Sequence, residues 1–70
     1  MNKAFSDIEE QAAKKVHEIV LEHFGSWVTT MYWWSTPNPM LGNKRPLDMV
    51  ISGRGPRLLK AVQSWKDGDF

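Results

Sequence analysis

Ser26-Trp27-Val28-Thr29-Thr30-Met31-Tyr32-Trp33-Trp34-Ser35 is the stretch on which the fold class turns. Val28, Thr29 and Thr30 are β-branched, so propensity alone would accept a strand. Spacing points to a helix: Trp27, Val28, Met31 and Trp34 recur at i, i+1, i+4 and i+7, on one side of a helix. Ser26 is positioned to cap it. On this phase Trp33 points the opposite way. Either the following loop covers it or it belongs to a binding surface, because an aromatic of about 150–250 Å² is costly to leave in water.

Upstream, Ser6 and Glu9 have the spacing of a capping box, with the hydroxyl of Ser6 accepting the Glu9 amide and the Glu9 carboxylate reaching back to the Ser6 amide. From Asp7 to Phe24, the residues Ile8, Ala12, Ala13, Val16, Ile19, Val20 and Phe24 fall within an arc of about 160°, and Gly25 ends the helix. Leu21 projects among Glu10, Lys14 and His17 on the polar side. Downstream, two prolines and the pair Gly42-Asn43 make residues 35–45 a loop with defined turns. Pro46 opens a third helix, 46–52, with Leu47, Val50 and Ile51 inward and Gly53 as its stop. Pro56 opens a fourth, 56–66, with Leu58, Leu59, Val62 and Trp65 inward and Arg57, Lys60 and Ser64 outward. The expected fold is therefore all-α, with four short helices at about 7–24, 27–35, 46–52 and 56–66, in one domain over 1–70. The segment 1–25 is a candidate dimerisation element through Ile8, Ala12, Val16, Ile19, Leu21 and His23.

Composition narrows the function. The chain has 70 residues and no cysteine. A thiol nucleophile, an iron–sulfur cluster, a Cys-based zinc site and a disulfide staple are excluded. A domain this small buries only about 60% of its unfolded surface, leaving little room for a substrate pocket and its supporting shell, so the expectation is a non-enzyme without a cofactor. No apolar run approaches the roughly 20 residues of a membrane span, and Met1-Asn2-Lys3 leads into no signal-peptide core. The expected location is the cytoplasm.

His17 and His23 lie about 120° apart around a helix and cannot clamp one metal ion, and no His-Glu-x-x-His is present. His23 falls inside the apolar arc, which suggests a half-buried histidine with one hydrogen-bond partner or a dimer contact. Gly53-Arg54-Gly55 is a turn rather than a nucleotide fingerprint, and Ser26, Ser52 and Ser64 have no base placed near them. Net charge is −2 over residues 1–24 and +3 over 25–70. Lys44, Arg45, Arg54, Arg57 and Lys60 form the positive cluster, suited to steering toward an anionic protein surface and lacking the polar recognition helix of a DNA reader. Four tryptophans are many for this length. They either enlarge a small core or serve as interface anchors, and a homodimer would satisfy both.

The segment Trp33-Trp34-Ser35-Thr36-Pro37-Asn38-Pro39-Met40-Leu41-Gly42-Asn43-Lys44-Arg45-Pro46-Leu47-Asp48-Met49-Val50 resembles the toxin-binding domain of the Xre/MbcA/ParS class of antitoxins. In that family Trp-Leu precedes Thr-Pro-Asn, a spacer, Leu-Gly-Gly and a Pro-Leu-Asp that opens a helix. Trp33, Thr36-Pro37-Asn38, Leu41-Gly42 and Pro46-Leu47-Asp48 stand at the matching places, and the likeness extends over residues 27–70. Trp34, Asn43 and Arg45 depart from the pattern, and the N-terminal helix is too short to be an Xre-type DNA-binding region. The resemblance implies a bacterial or phage all-α homo-oligomer that occludes the active site of a RES-type NAD-consuming toxin. By position, Lys60, Ser64, Trp65, Lys66, Asp69 and Phe70 become candidate contacts, joined by Arg54 and Arg57 of the basic cluster. Alternatives are a mobile-element or virus-encoded inhibitor of another host enzyme on the same scaffold, and a minimal DNA-binding regulator.

Overall fold

The computed structural model describes residues 6–65, and four helices are present among them: α1 (Asp7–Phe24), α2 (Trp27–Ser35), α3 (Pro46–Ile51) and α4 (Gly55–Gln63). A 3₁₀ turn, Pro39–Leu41, lies between α2 and α3. The chain is all-α, as its spacing predicts. Lys66, Asp69 and Phe70 lie outside the described residues.

The helix ends are made by the expected residues. The hydroxyl of Ser6 accepts the Glu9 amide at 3.3 Å, and Ser26 does the same for Thr29. Gly25, at φ 65°, sits in the left-handed region and donates its N–H to the Leu21 carbonyl at 2.8 Å. A side chain there would cost strain that glycine avoids. The second half of the capping box is not formed: the Glu9 carboxylate turns inward and accepts the amide of Gly55, the first residue of α4.

α1 packs along α4 and also meets α2 and α3. The core holds Val16 and Val20 of α1, Trp33 of α2, Met49 and Val50 of α3, and Leu58 and Val62 of α4, with Trp65 just beyond α4. Trp33 meets Trp65 edge-on, with ring centroids 6.0 Å apart and planes at 85°. That geometry brings the positive edge of one indole to the negative face of the other.

Three expectations about facing are corrected. In α2 the buried residues are Thr30 and Trp33, while Trp27 and Val28 are 64% and 71% exposed; Met31 and Trp34 are half-buried. With no charged residue to mark a wet side, the spacing of α2 does not fix its phase. Thr30 can turn inward because its hydroxyl donates to the Ser26 carbonyl at 2.8 Å, so no polar group is left unpaired. In α3, Pro46, Met49 and Val50 face the core, leaving Leu47 and Ile51 exposed. In α1, Ile8 is 68% exposed and His23 is exposed, edge-on to Phe24, instead of lying on the buried arc. The fourth helix also ends at Gln63, with Ser64 and Trp65 in a closing turn.

The loop from Thr36 to Arg45 closes on Asn38. The Asn38 side chain accepts the Met40 amide at 2.9 Å, its carbonyl accepts the amides of Leu41 and Asn43, and its own amide donates to the Lys44 carbonyl at 3.0 Å. Gly42 and Asn43 both adopt positive φ, at 68° and 63°; asparagine is among the side chains that tolerate this region. Asn43 therefore supports the turn beside Gly42. Asn38→Ala is expected to lower unfolding free energy by about 1 kcal/mol, the usual worth of such a cap, and Asn38→Asp by less; urea titration reads both.

Candidate functional site

Trp27, Met31, Val28 and Tyr32 occupy a continuous arc of about 140° on the outer side of α2, at about 100° per residue. Trp27, Val28 and Tyr32 are each more than three-fifths exposed. Tyr32 continues this face into a shallow groove of about 320 Å³, shared with Phe24, Trp33, Thr36 and Pro37 to Pro39. Thr36 and Ser35 donate their hydroxyls back to carbonyls of the last turn, with Thr36 Oγ1 2.6 Å from the Tyr32 oxygen. Ser35 and Thr36 thus turn their hydroxyls back onto the helix, and the stripe itself presents aromatic and aliphatic surface. Such clustered exposure of large apolar residues marks an interaction surface far more often than isolated exposure does.

Spacing put Trp27 on the inner side of this helix and left Trp33 either covered by the following loop or part of a binding surface. Trp33 is enclosed in the core at 6% exposure, and Trp27, expected inside, stands on the surface. The available signal was Thr30, whose hydroxyl can bond the backbone carbonyl four residues back and so lets a threonine turn inward.

The other candidate residues divide between surface and interior. Lys60, Arg54 and Arg57 are exposed, and the exposed Ser64 donates to the Ala61 carbonyl at 2.7 Å. Trp65 is 4% exposed and belongs to the core. Among the motif residues, Trp33, Asn38 and Pro46 are buried, Leu41 and Asp48 are half-buried, and Pro37, Gly42 and Leu47 are exposed. Of the dimer candidates, Ala12 and Val16 are buried within the chain, Ile19 and Leu21 are half-buried, and Ile8 and His23 are exposed. Ile8, Ala12, Pro56 and Leu59 line an open groove between α1 and α4, flanked by Lys15 and Lys60.

Polar chemistry is sparse. The Trp34 indole donates to His17 Nδ1 at 3.1 Å with the ring planes 23° apart, so it is His17, not His23, that is half-buried with the indole as its donor. Arg45 precedes α3 without capping it and instead forms a two-pronged pair with Asp48, at 2.7 and 2.8 Å. These hydrogen bonds hold the Asp48 carboxyl below its ordinary value. Among the described residues no three His, Asp or Glu side chains gather as a metal ion would require, and no helix is long and apolar enough to cross a membrane. No family model matches the chain, and no curated protein or solved structure shows significant similarity to it, so its function has to be argued from these surfaces.

Proposed function

We propose that the chain is a non-catalytic protein-binding module, antitoxin-like in its 26–70 region, that neutralises a partner enzyme by covering the surface around its active site. A RES-type NAD-consuming toxin is the partner that the resemblance implies; another host enzyme is the variant reading. The observation that carries the proposal is the outer face of α2, where Trp27, Val28 and Tyr32 stand exposed on a helix without a charge. Trp and Tyr are the residue types most enriched at binding hot spots.

The experiment is co-expression of the tagged chain with the products of its neighbouring genes, followed by affinity capture and identification of what is retained. Trp27→Ala with Tyr32→Ala is expected to weaken capture by about 30-fold or more, the equivalent of losing about 2 kcal/mol at a hot spot. Both side chains lie outside the core, so the helical far-ultraviolet dichroism and the thermal transition should be retained. Undiminished capture by the double variant would remove α2 as the contact surface. A toxin whose NAD consumption is unaffected by the chain would end the antitoxin reading.

A further inference from the structure

Lys44, Arg54 and Arg57 come from the loop, the α3–α4 turn and the first turn of α4, and together they border one groove of about 250 Å³. Its apolar lining is Met40, Leu41, Met49 and Ala61. Among the described residues none of the three cationic side chains has a carboxylate or a hydrogen-bond partner. Arg45, their neighbour in sequence, is instead neutralised by Asp48. The structure thus divides the five-residue basic cluster: Arg45 is paired, Lys60 borders the groove between α1 and α4, and Lys44, Arg54 and Arg57 border this one.

We infer that this groove receives an acidic peptide segment carrying an apolar side chain, an assignment that rests on the reading of the chain as a protein-binding module. Three like charges around one concavity repel one another, and an anionic partner relieves that repulsion. Two of the cations are arginines, whose planar forks suit carboxylates. The apolar floor decides against a sugar-phosphate backbone, which would leave it unmatched. Met40 is 56% exposed at the rim, and a flexible thioether adapts to varied apolar side chains. The backbone holds the rim in place: the Arg54 amide donates to the Met49 carbonyl at 2.7 Å, and Lys44 is joined through its carbonyl to Asn38. Little ordering cost therefore falls on binding beyond that of the long side chains.

The test titrates the full chain with the blocked peptide Asp-Glu-Leu-Asp-Glu, following amide chemical shifts. Controls are its amide counterpart Asn-Gln-Leu-Asn-Gln, the anchor-free Asp-Glu-Gly-Asp-Glu, and a single-stranded DNA oligonucleotide. The acidic, leucine-bearing peptide is expected to shift Lys44, Arg54 and Arg57 and to bind about tenfold or more tightly than either control peptide. Arg57→Gln and Lys44→Gln should each weaken it several-fold, whereas Arg45→Gln should leave it unchanged. Equal binding of the amide peptide, no binding, an Arg57→Gln variant with wild-type affinity, or tighter and steeply salt-dependent binding of the oligonucleotide each overturns the assignment. If the acidic peptide fails while a partner is still captured through Trp27 and Tyr32, the groove assignment falls and the protein-binding reading stands.

Discussion

Trp33→Ala is expected to unfold the domain. The indole is 6% exposed, meets Trp65 and Trp34 edge-on, and shares a cluster with residues from all four helices. Truncating a buried aromatic to alanine costs about 3–5 kcal/mol, and a core in a chain of this size rarely supplies more than about 3–5 kcal/mol in total. The variant should therefore lose its cooperative thermal transition and its near-ultraviolet dichroism. Trp33→Phe provides the contrast. The Trp33 indole N–H is buried without a hydrogen-bond partner among the described residues, and such a group costs about 1–3 kcal/mol. Phenylalanine removes that penalty while keeping part of the ring contact, so this variant is expected to stay folded, within about 1–2 kcal/mol of the parent. A sharp transition at the parental temperature in Trp33→Ala would show that Trp33 does not organise the core.

Gly55→Ala and Glu9→Ala are expected to be the next most damaging changes, and to damage the same interaction. Arg54 gives no side-chain cap to α4, and the Glu9 carboxylate takes that place from α1, accepting the Gly55 amide 46 residues away. A carboxylate at a helix N-terminus is favoured by the hydrogen bond and by the helix dipole. A Cβ on Gly55 would lie 2.5 Å from Glu9 Oε1 and 3.2 Å from the Ala12 Cβ. Accommodating it displaces the carboxylate and presses α4 away from α1. Either substitution leaves a buried polar group unpaired, at about 1–3 kcal/mol, or roughly 4–8 °C in Tm for each kcal/mol in a domain of this length. Because both remove one contact, the double variant should cost clearly less than the sum of the singles. Glu9→Gln keeps an acceptor oxygen and should retain part of the stability. Strict additivity in the cycle would show that the two residues are not coupled.

The case of Glu9 shows where the sequence stops being legible. Its spacing from Ser6 suggests a local capping box, and half of that box is present. The carboxylate nonetheless goes to a helix end that only folding brings within reach, because Gly55 lies buried there with no local side chain to satisfy it. Helix α2 shows a different limit. With large apolar residues on opposite sides and no charge, periodicity identifies a helix but not its buried side, and the face is chosen by what α1, α3 and α4 leave open. Trp33 is buried and Trp27 stands outside as a result, and the candidate interaction surface lies with Trp27. The loop behaves oppositely. Asn38, Gly42 and the prolines act through their own backbones and near neighbours, so its closed turn was readable from residue types alone.

Everything governed by interactions a few residues long was legible in the residue order: the all-α class, the caps at Ser6, Ser26 and Gly25, the prolines in the first turns of α3 and α4, the apolar faces of α1 and α4, and the turns of the loop at 35–45. Helical period and backbone preference operate at that range, and they need no partner element. Tertiary placement alone chose which sides of α2 and α3 are dry, so that Trp33 is buried while Trp27 and Tyr32 face outward, turned Glu9 to cap α4, and brought Lys44, Arg54 and Arg57 around one groove. Each depends on relative placement of segments far apart in the chain. Burial is competitive in a domain this small: the core has room for two indoles, and the geometry of the surrounding helices selects which two.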